Sequence, residues 1–279
     1  MTQLLVRSVS VLLLICLSGA IFSNTAVAQT SPTIEPMNRK PRSPRRPQPA
    51  KALPFFDNET PSGQTPDLSP PPPELTAFDQ AVLRTCGALG SKVSIAAFEN
   101  LLNYYPDVVQ KAKQAVGGEL FAGRSSDQAF RDDLVSIWMN GEGFEHIYCG
   151  ELEGATKIGG LHFHGRYLQI QQEGGGRLAN NSSKEEVVPG VVYTLGVVVR
   201  KGNRTYTDDI KGYPYVTNAL EMFLETTKAF KDSREGACLH PVRDSETGAS
   251  YQAVFVRRQN AIITFYPDAT PQGKPCRAN

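Results

Sequence analysis

The stretch GFEHIYCGELEGATKIGGLHFHG, residues 143–165, holds three of the four histidines in this 279-residue chain. His146, His162 and His164 fall within nineteen positions. The aromatic and β-branched residues around them predict two strands that turn at the glycines 159–160. Pairing of these strands would bring His146 close to His162. Two imidazoles that titrate near neutral pH can serve as a general acid and a general base.

The residues of this stretch leave three interpretations open. In the first, the histidines are ordinary polar residues of a β-hairpin. In the second, His162 and His164 share one face of a strand and bind a divalent metal together with His146 or Glu151. In the third, His146 and His162 form an acid/base pair for transfer at phosphorus. The spacing alone does not separate the second interpretation from the third.

The sequence on either side changes character from helices to strands. Upstream, apolar residues recur at helical spacing in ELTAFDQAVLRTCGAL, KVSIAAFENLLNYYPDVVQKAKQAV and SDQAFRDDLVSIWMN. Downstream, VVYTLGVVVR, YQAVFVRRQ and AIITFYP read as strands, and NALEMFLETTKAF reads as a helix among them. This order predicts an α+β fold, with N-terminal helices followed by a two-lobed domain of antiparallel sheets and flanking helices.

The N-terminal quarter has a different composition. Residues 1–28 predict a signal peptide, with an apolar core, a small-residue AVA site and cleavage before Gln29. Residues 29–73 contain 13 of the 20 prolines and predict a disordered linker. The folded domain is then expected at 74–279, with 74–118 as a helical lead-in. A secreted or periplasmic protein without stable membrane insertion is the expectation.

Charge and cysteine content limit the function. Residues 74–279 carry 22 Lys and Arg against 24 Asp and Glu, which argues against bulk electrostatic binding of long duplexes. Four cysteines follow the signal segment, namely Cys86, Cys149, Cys238 and Cys276. In an exported protein they predict at least one disulfide among three possible connectivities. Cys238 with Cys276 is the preferred pair, because it would fix the C-terminal tail.

The motif GFEHIYCGE followed by GGLHFHG resembles the signature of the EndoU endoribonuclease family. Its members carry a Phe-Glu-His segment that leads into Gly-Glu, then Gly-x-His about sixteen residues after the first histidine. Here the interval from His146 to His162 is 16 residues. GGLH and AIITFYP are also similar to the coronavirus uridylate-specific endoribonuclease domain. The resemblance covers roughly residues 120–268 and is closest at 143–169.

The resemblance implies roles for individual residues. His162 would be the base and His146 the acid, with Glu145 and Glu151 as supporting acidic residues. Tyr266 matches the aromatic residue that packs against the nucleotide. The catalytic lysine is Lys211 or Lys201, and Lys211 is preferred because it stands just before a helix. Thr217 would then be the nearest hydroxyl for uracil recognition. His164 departs from the family, whose members often carry a bulky apolar or aromatic residue there.

The implied function is an exported endoribonuclease that cleaves single-stranded RNA at uridines. Attack by the 2′-hydroxyl would leave a 2′,3′-cyclic phosphate. The resemblance fixes no cofactor, and His164 makes Mn²⁺ the ion to test. A cognate inhibitor protein is expected if the chain is a toxin. Two other classes stay open: an exported metal-dependent hydrolase built on His146, His162 and His164, and a non-catalytic module that binds RNA or the cell envelope.

Overall fold

A computed structural model describes residues 53–60, 66–179, 185–268 and 272–277. Contacts within the chain divide it into Met1–Gln48 and Pro49–Asn279. The first unit lies outside the described residues, as do the expected signal peptide and its cleavage site before Gln29. Among the described residues, no helix combines the length and the apolar character that crossing a bilayer requires.

Four helices open the folded part, and local sequence signals begin each of them. Thr76 and Asp79 form a capping box, Ser94 and Ser126 each accept a backbone N–H at a helix start, and Pro106 occupies the first position of the third helix. The predicted helices of this region are therefore present. They are α1 (Ala77–Cys86), α2 (Ile95–Tyr104), α3 (Pro106–Ala115) and α4 (Asp127–Met139).

The segment that bears the first histidine is a short π-helical turn, Glu145–Cys149, and not the predicted strand. The second histidine lies just before helix α5 (His164–Gln172), which replaces the other predicted strand. In the first segment Phe144, Ile147 and Tyr148 are all buried, and positions i, i+3 and i+4 share one face of a helix. Aromatic and β-branched residues favour strands, but burial of this helical face outweighed that preference.

The remaining elements form two sheets and one more helix. The strands are β1 (Leu152–Glu153), β2 (Lys157–Ile158), β3 (Gly176–Leu178), β4 (Glu185–Val188), β5 (Val192–Lys201), β6 (Arg204–Pro214), β7 (Gly236–Arg243), β8 (Ser250–Arg258) and β9 (Ala261–Pro267). Helix α6 (Ala219–Asp232) joins the sheets and begins at the cap Asn218. The first sheet has the order β1-β2-β6-β5-β3, with β4 also paired to β5, and the second has the order β7-β8-β9.

Among the described strands, one pair departs from the expected antiparallel arrangement. Strand β2 pairs with β6 in parallel, so the first sheet is mixed, whereas the second is antiparallel throughout. Two hydrophobic clusters correspond to the two predicted lobes. One contains α1–α4, the π-helical turn, α6 and the second sheet, and the other contains α5 and the first sheet. The α+β class and the two-lobed arrangement are confirmed.

The expectation of a free linker up to residue 73 is wrong for its C-terminal part. Phe55 and Phe56 are 0% and 2% exposed and belong to the cluster of the first sheet. Their backbone N–H groups donate to Oε1 of Gln171, at 2.6 and 2.9 Å. The proline-rich composition predicted disorder, but this segment also contains Phe55 and Phe56. Burial of their two phenyl rings can offset the entropy that is lost when a short segment becomes ordered.

Two disulfides are present. Cys238–Cys276 is the preferred pair and is confirmed. Cys86–Cys149 joins the end of α1 to the end of the π-helical turn, and both of its cysteines are 1% exposed. The second disulfide therefore ties the helical lead-in to the element that carries His146.

Candidate active site

A cleft of about 430 Å³ brings together residues that are far apart in the sequence. Its wall includes His146, His162, Lys211 and Tyr266. They come from the π-helical turn, the segment before α5, strand β6 and strand β9. The other lining residues are Thr194, Ile210, Gly212, Thr264, Pro267 and Asp268.

His146 is held by an acidic partner. Its Nδ1 lies 2.7 Å from Oε2 of Glu151, and the Gly160 N–H donates to the same oxygen at 3.2 Å. Burial acts to raise the pKa of Glu151, but the hydrogen bond and charge of His146 outweigh it, so this pKa lies below its usual value. Glu151 is therefore an anion at neutral pH. It orients the ring of His146 through Nδ1.

His162 has the opposite environment. Its Nδ1 lies 3.0 Å from the carbonyl oxygen of Gly212, and the residue is 6% exposed. A carbonyl oxygen only accepts, so Nδ1 carries the proton and Nε2 keeps a free lone pair. Burial, followed by the charge of His146, lowers the pKa of His162 to about 3. His162 is therefore neutral at pH 7 and can accept a proton.

The two imidazoles are close because their backbones are close. The ring centroids of His146 and His162 are 5.5 Å apart. A Cβ at Gly160 would lie 2.0 Å from the carbonyl oxygen of His146, so only glycine fits there. The sequence predicted this proximity through a hairpin. The proximity is present, but a glycine contact between a helical turn and a loop produces it.

Tyr266 stacks on His162. Its ring centroid lies 5.1 Å from that of His162, with 23° between the ring planes. Burial raises the pKa of Tyr266, so the phenol is neutral. An aromatic ring on the rim of a cleft offers a stacking surface to a planar ligand.

Lys211 supplies a cation at the wall of the cleft. Its Nζ lies 3.0 Å from Oδ2 of Asp208, and its side chain is 13% exposed. Its charge is one of the causes that lower the pKa of His162, after burial and His146. Lys201, the alternative, is at the end of β5, where it donates to the carbonyl of Leu89 and does not line the cleft. Of the two lysines, the structure brings only Lys211 to the histidines.

Residues 140–269 match the family model of the bacterial EndoU nuclease. This segment is similar to the EndoU nuclease family. Among solved structures, XendoU, described as a splicing-independent snoRNA-processing endoribonuclease, is 18% identical with a TM-score of 0.50, over 70% of this chain and 79% of that one. Endoribonuclease Nsp15 of Middle East respiratory syndrome coronavirus is 20% identical with a TM-score of 0.35, over 49% and 37% of the two chains. No curated protein matches.

Two residues expected at the EndoU site, Thr217 and Glu145, lie away from the cleft. Thr217 is fully buried, and its hydroxyl lies 3.0 Å from that of Tyr251. Glu145 is 4% exposed and accepts from the Val93 N–H and from Lys92. Glu145 therefore anchors the loop before α2, and Thr217 stabilises the contact between α6 and the second sheet.

His164, the residue that departs from the family pattern, also lies away from the cleft. Its Nδ1 lies 2.9 Å from the carbonyl oxygen of Tyr215, its ring packs beside Phe163, and the residue is 3% exposed. The two histidines His162 and His164 do not share a face, because helix α5 begins between them. Among the described residues, the three histidines form no group that could hold a metal ion. The proposed three-histidine metal site is wrong for this geometric reason.

The cleft also contains a residue that sequence reasoning missed. Thr264 lines it two positions before Tyr266, is 8% exposed, and its Oγ1 has no hydrogen-bond partner among the described residues. A buried hydroxyl without a partner costs free energy unless a ligand completes it. Alternation along β9 was the signal that could have found it, because Thr264 and Tyr266 share one face of the strand.

Glu142, Glu145 and Glu151 form a cluster of carboxylates beside the cleft residue His146. Their carboxylate oxygens lie within 4.8 Å of one another, and carboxylates suit Mn²⁺. However, Nζ of Lys92 lies 2.7 Å from Glu142 and 3.0 Å from Glu145, and His146 already occupies Glu151. The ammonium group of Lys92 therefore occupies the position that a metal ion would take. The residues do not fit Mn²⁺ as arranged.

Proposed function

We propose that this chain is an endoribonuclease that cleaves single-stranded RNA at uridines and leaves 2′,3′-cyclic phosphate ends. One observation carries the proposal: two histidines in one cleft have opposite environments. Nδ1 of His146 faces the carboxylate of Glu151, whereas Nδ1 of His162 faces a backbone carbonyl and burial keeps His162 neutral. Two imidazoles in different settings thus line one cleft and can serve as the acid and the base.

The two histidines act through their Nε2 atoms, because both Nδ1 atoms are engaged. Nε2 of His162 takes the proton of the 2′-hydroxyl, and the 2′-oxygen forms a bond to the adjacent phosphorus. The bond from phosphorus to the 5′-oxygen breaks, and His146 gives this oxygen its proton. Lys211 stabilises the charge that develops on the non-bridging phosphate oxygens. DNA lacks the 2′-hydroxyl and is not cleaved.

Two residues on β9 support the choice of a single-stranded, uridine-containing substrate. An unpaired base can stack on Tyr266, which already stacks on His162. The free hydroxyl of Thr264 can donate to or accept from the polar edge of that base. Thr264 replaces Thr217 as the recognition hydroxyl in this proposal, since Thr217 is bonded to Tyr251 in the core.

The proposal includes export to the periplasm or the medium. The apolar N-terminal segment and the small-residue site before Gln29 support it, and so do the two disulfides, since disulfides persist in oxidising compartments. A protein recovered outside the cytoplasm with Gln29 at its N-terminus is the expected result. Recovery of uncleaved protein from the cytoplasm would contradict it.

The catalytic test uses a short RNA with one uridine and end-group analysis of its products. We expect a cyclic phosphate, and loss of cleavage by about 10²–10⁴-fold in His146→Ala and in His162→Ala. His164→Ala serves as the control outside the cleft. A 2′-deoxy substitution at the uridine should abolish cleavage, and EDTA should leave it unchanged. Open phosphate ends, or efficient cleavage of the deoxy substrate, would refute the mechanism.

The base preference is tested with Thr264→Val and its control Thr217→Val. Thr264→Val removes a hydroxyl of the cleft, so the ratio of kcat/KM for uridine over cytidine should fall by about 10-fold, as for one lost hydrogen bond. Thr217→Val should lower the melting temperature and keep the ratio. If the ratio changes only in Thr217→Val, Thr264 does not read the base.

A further inference from the structure

We propose that Arg166 is a positioning residue that holds the segment of His146 and the segment of His162 at a fixed separation. This inference rests on the proposed ribonuclease function of the same cleft. Arg166 does not line the cleft and would not touch the substrate. It acts through the backbone of the elements that carry the two histidines.

The guanidinium of Arg166 connects three segments. Its Nε donates to the carbonyl oxygen of Cys149 at 2.6 Å, and its Nη1 donates to that of Gly87 at 3.0 Å. Nη1 also donates to Oε1 of Gln169 on the same helix, and this bond helps to hold the guanidinium in place. A planar fork with several donors can hold two carbonyl groups at once in a defined geometry.

The residues that make these contacts are close in sequence to the two histidines. Cys149 is the last residue of the π-helical turn, three residues after His146. Arg166 lies in the first turn of α5, four residues after His162. A single side chain therefore spans from the helix that follows His162 to the turn that carries His146.

The disulfide Cys86–Cys149 links the π-helical turn to the end of α1 and so stabilises the junction of these two elements. Gly87, the second carbonyl acceptor of Arg166, directly follows Cys86 at the end of α1. The disulfide fixes the π-helical turn to α1, and the guanidinium adds α5 to this pair. Without Arg166 the segment of His162 would lack this link to the junction.

The contacts of Arg166 indicate that it holds backbone segments in place and does not form a direct ion pair among the described residues. The residue is 1% exposed, and the charge of Glu173 acts on it without a direct salt bridge among the described residues. Its Nη2 has no hydrogen-bond partner among these residues. Burial lowers the pKa of Arg166 to about 10 against the opposing charge of Glu173, so it remains a cation at pH 7. A buried cation without a direct ion pair is costly for folding, and its hydrogen bonds to two carbonyl groups offset part of that cost.

The test compares Arg166→Met and Arg166→Lys with a matched control in the full chain. Arg257 is the control, because it also donates to two backbone carbonyls, those of Phe230 and Ser233, and packs over the Phe230 ring far from both histidines in sequence. Arg257→Met should lower the melting temperature and leave kcat and its pH profile unchanged.

For Arg166→Met we expect kcat to fall by about 10²-fold, as for a misplacement of about 1 Å, and KM to stay within about threefold. The limbs of the pH–rate profile should shift, because the mutual position of the two imidazoles sets their interaction. Arg166→Lys keeps the charge and one donor, so it should recover part of kcat. If Arg166→Met fails to fold, Arg166→Lys decides alone, with kcat expected about 10-fold below wild type.

A readout independent of cleavage separates this inference from the proposed function. The Cε1–H resonances of His146 and His162 can be followed against pH by NMR, with assignment by single substitutions. Their titration midpoints should move in Arg166→Met and stay in Arg257→Met, whether or not RNA is cleaved. Wild-type kcat and midpoints in both Arg166 variants, together with a lower melting temperature, would overturn the proposal and leave Arg166 a purely structural residue.

Discussion

Oε2 of Glu151 lies 2.7 Å from Nδ1 of His146, and the same oxygen accepts the N–H of Gly160 at 3.2 Å. Gly160 is the residue whose missing side chain lets the two histidine segments touch. One carboxylate thus fixes the ring of His146 and the backbone turn that leads to His162. The two histidines therefore differ in the partner of Nδ1. That of His146 is the carboxylate of Glu151, whereas that of His162 is the backbone carbonyl of Gly212.

The pH profile of cleavage tests this asymmetry. The acidic limb belongs to His162, whose pKa of about 3 keeps it neutral, so wild-type activity should persist down to about pH 5. Glu151→Gln removes the carboxylate that orients His146 through Nδ1, so kcat/KM should fall across the pH range. The measurement is kcat/KM against pH. A kcat/KM that is unchanged in Glu151→Gln would contradict the role of Glu151 in orienting the acid.

The two lysines make a matched pair for the electrostatic step. Lys211→Ala should reduce kcat by about 10²-fold, the size of effect seen when one oxyanion donor is removed, with a smaller effect on RNA binding. Lys201→Ala removes a surface contact to the Leu89 carbonyl and should keep kcat. Single-turnover rates and filter binding measure the two effects. An equal loss of kcat in both variants would mean that Lys211 has no special role.

The aromatic pair before α1 should be needed for stability. Phe55→Ala removes a fully buried ring and should lower the free energy of unfolding by about 3–5 kcal/mol, or the melting temperature by about 10 °C. Leu53→Ala is the control, because Leu53 is 39% exposed in the same segment. A chain that begins at Glu74 should melt lower than one that begins at Gln29. Equal melting temperatures would show that residues 53–73 add nothing to the fold.

The two disulfides should differ in their effect on activity. Replacing both Cys86 and Cys149 by alanine should cost about 2–5 kcal/mol and also reduce kcat, since this disulfide ends the turn that bears His146. Replacing both Cys238 and Cys276 should lower stability and leave kcat unchanged, because β7 is two strands away from the Tyr266 strand. Melting curves and kcat below the melting temperature test this. A larger kcat loss in the second variant would contradict it.

Sequence patterns and local signals determined much of this protein. Capping residues and Pro106 marked the starts of the early helices, and β-branched and aromatic runs marked β5, β8 and β9. The 16-residue interval between His146 and His162, with two glycines before the second, indicated a pair of close imidazoles. Such features depend on residues near one another in the chain, and they can be read without knowing the fold.

Tertiary structure decided which of these residues share the cleft. Burial of Phe144, Ile147 and Tyr148 turned a strand-like segment into a helical turn, and the start of α5 at His164 rotated this residue away from His162. Lys211, Thr264 and Tyr266 reached the cleft only because β6 and β9 approach it from two different sheets. Packing between distant segments sets these positions, and the free energy of burying a shared core has no signature in any single stretch of sequence.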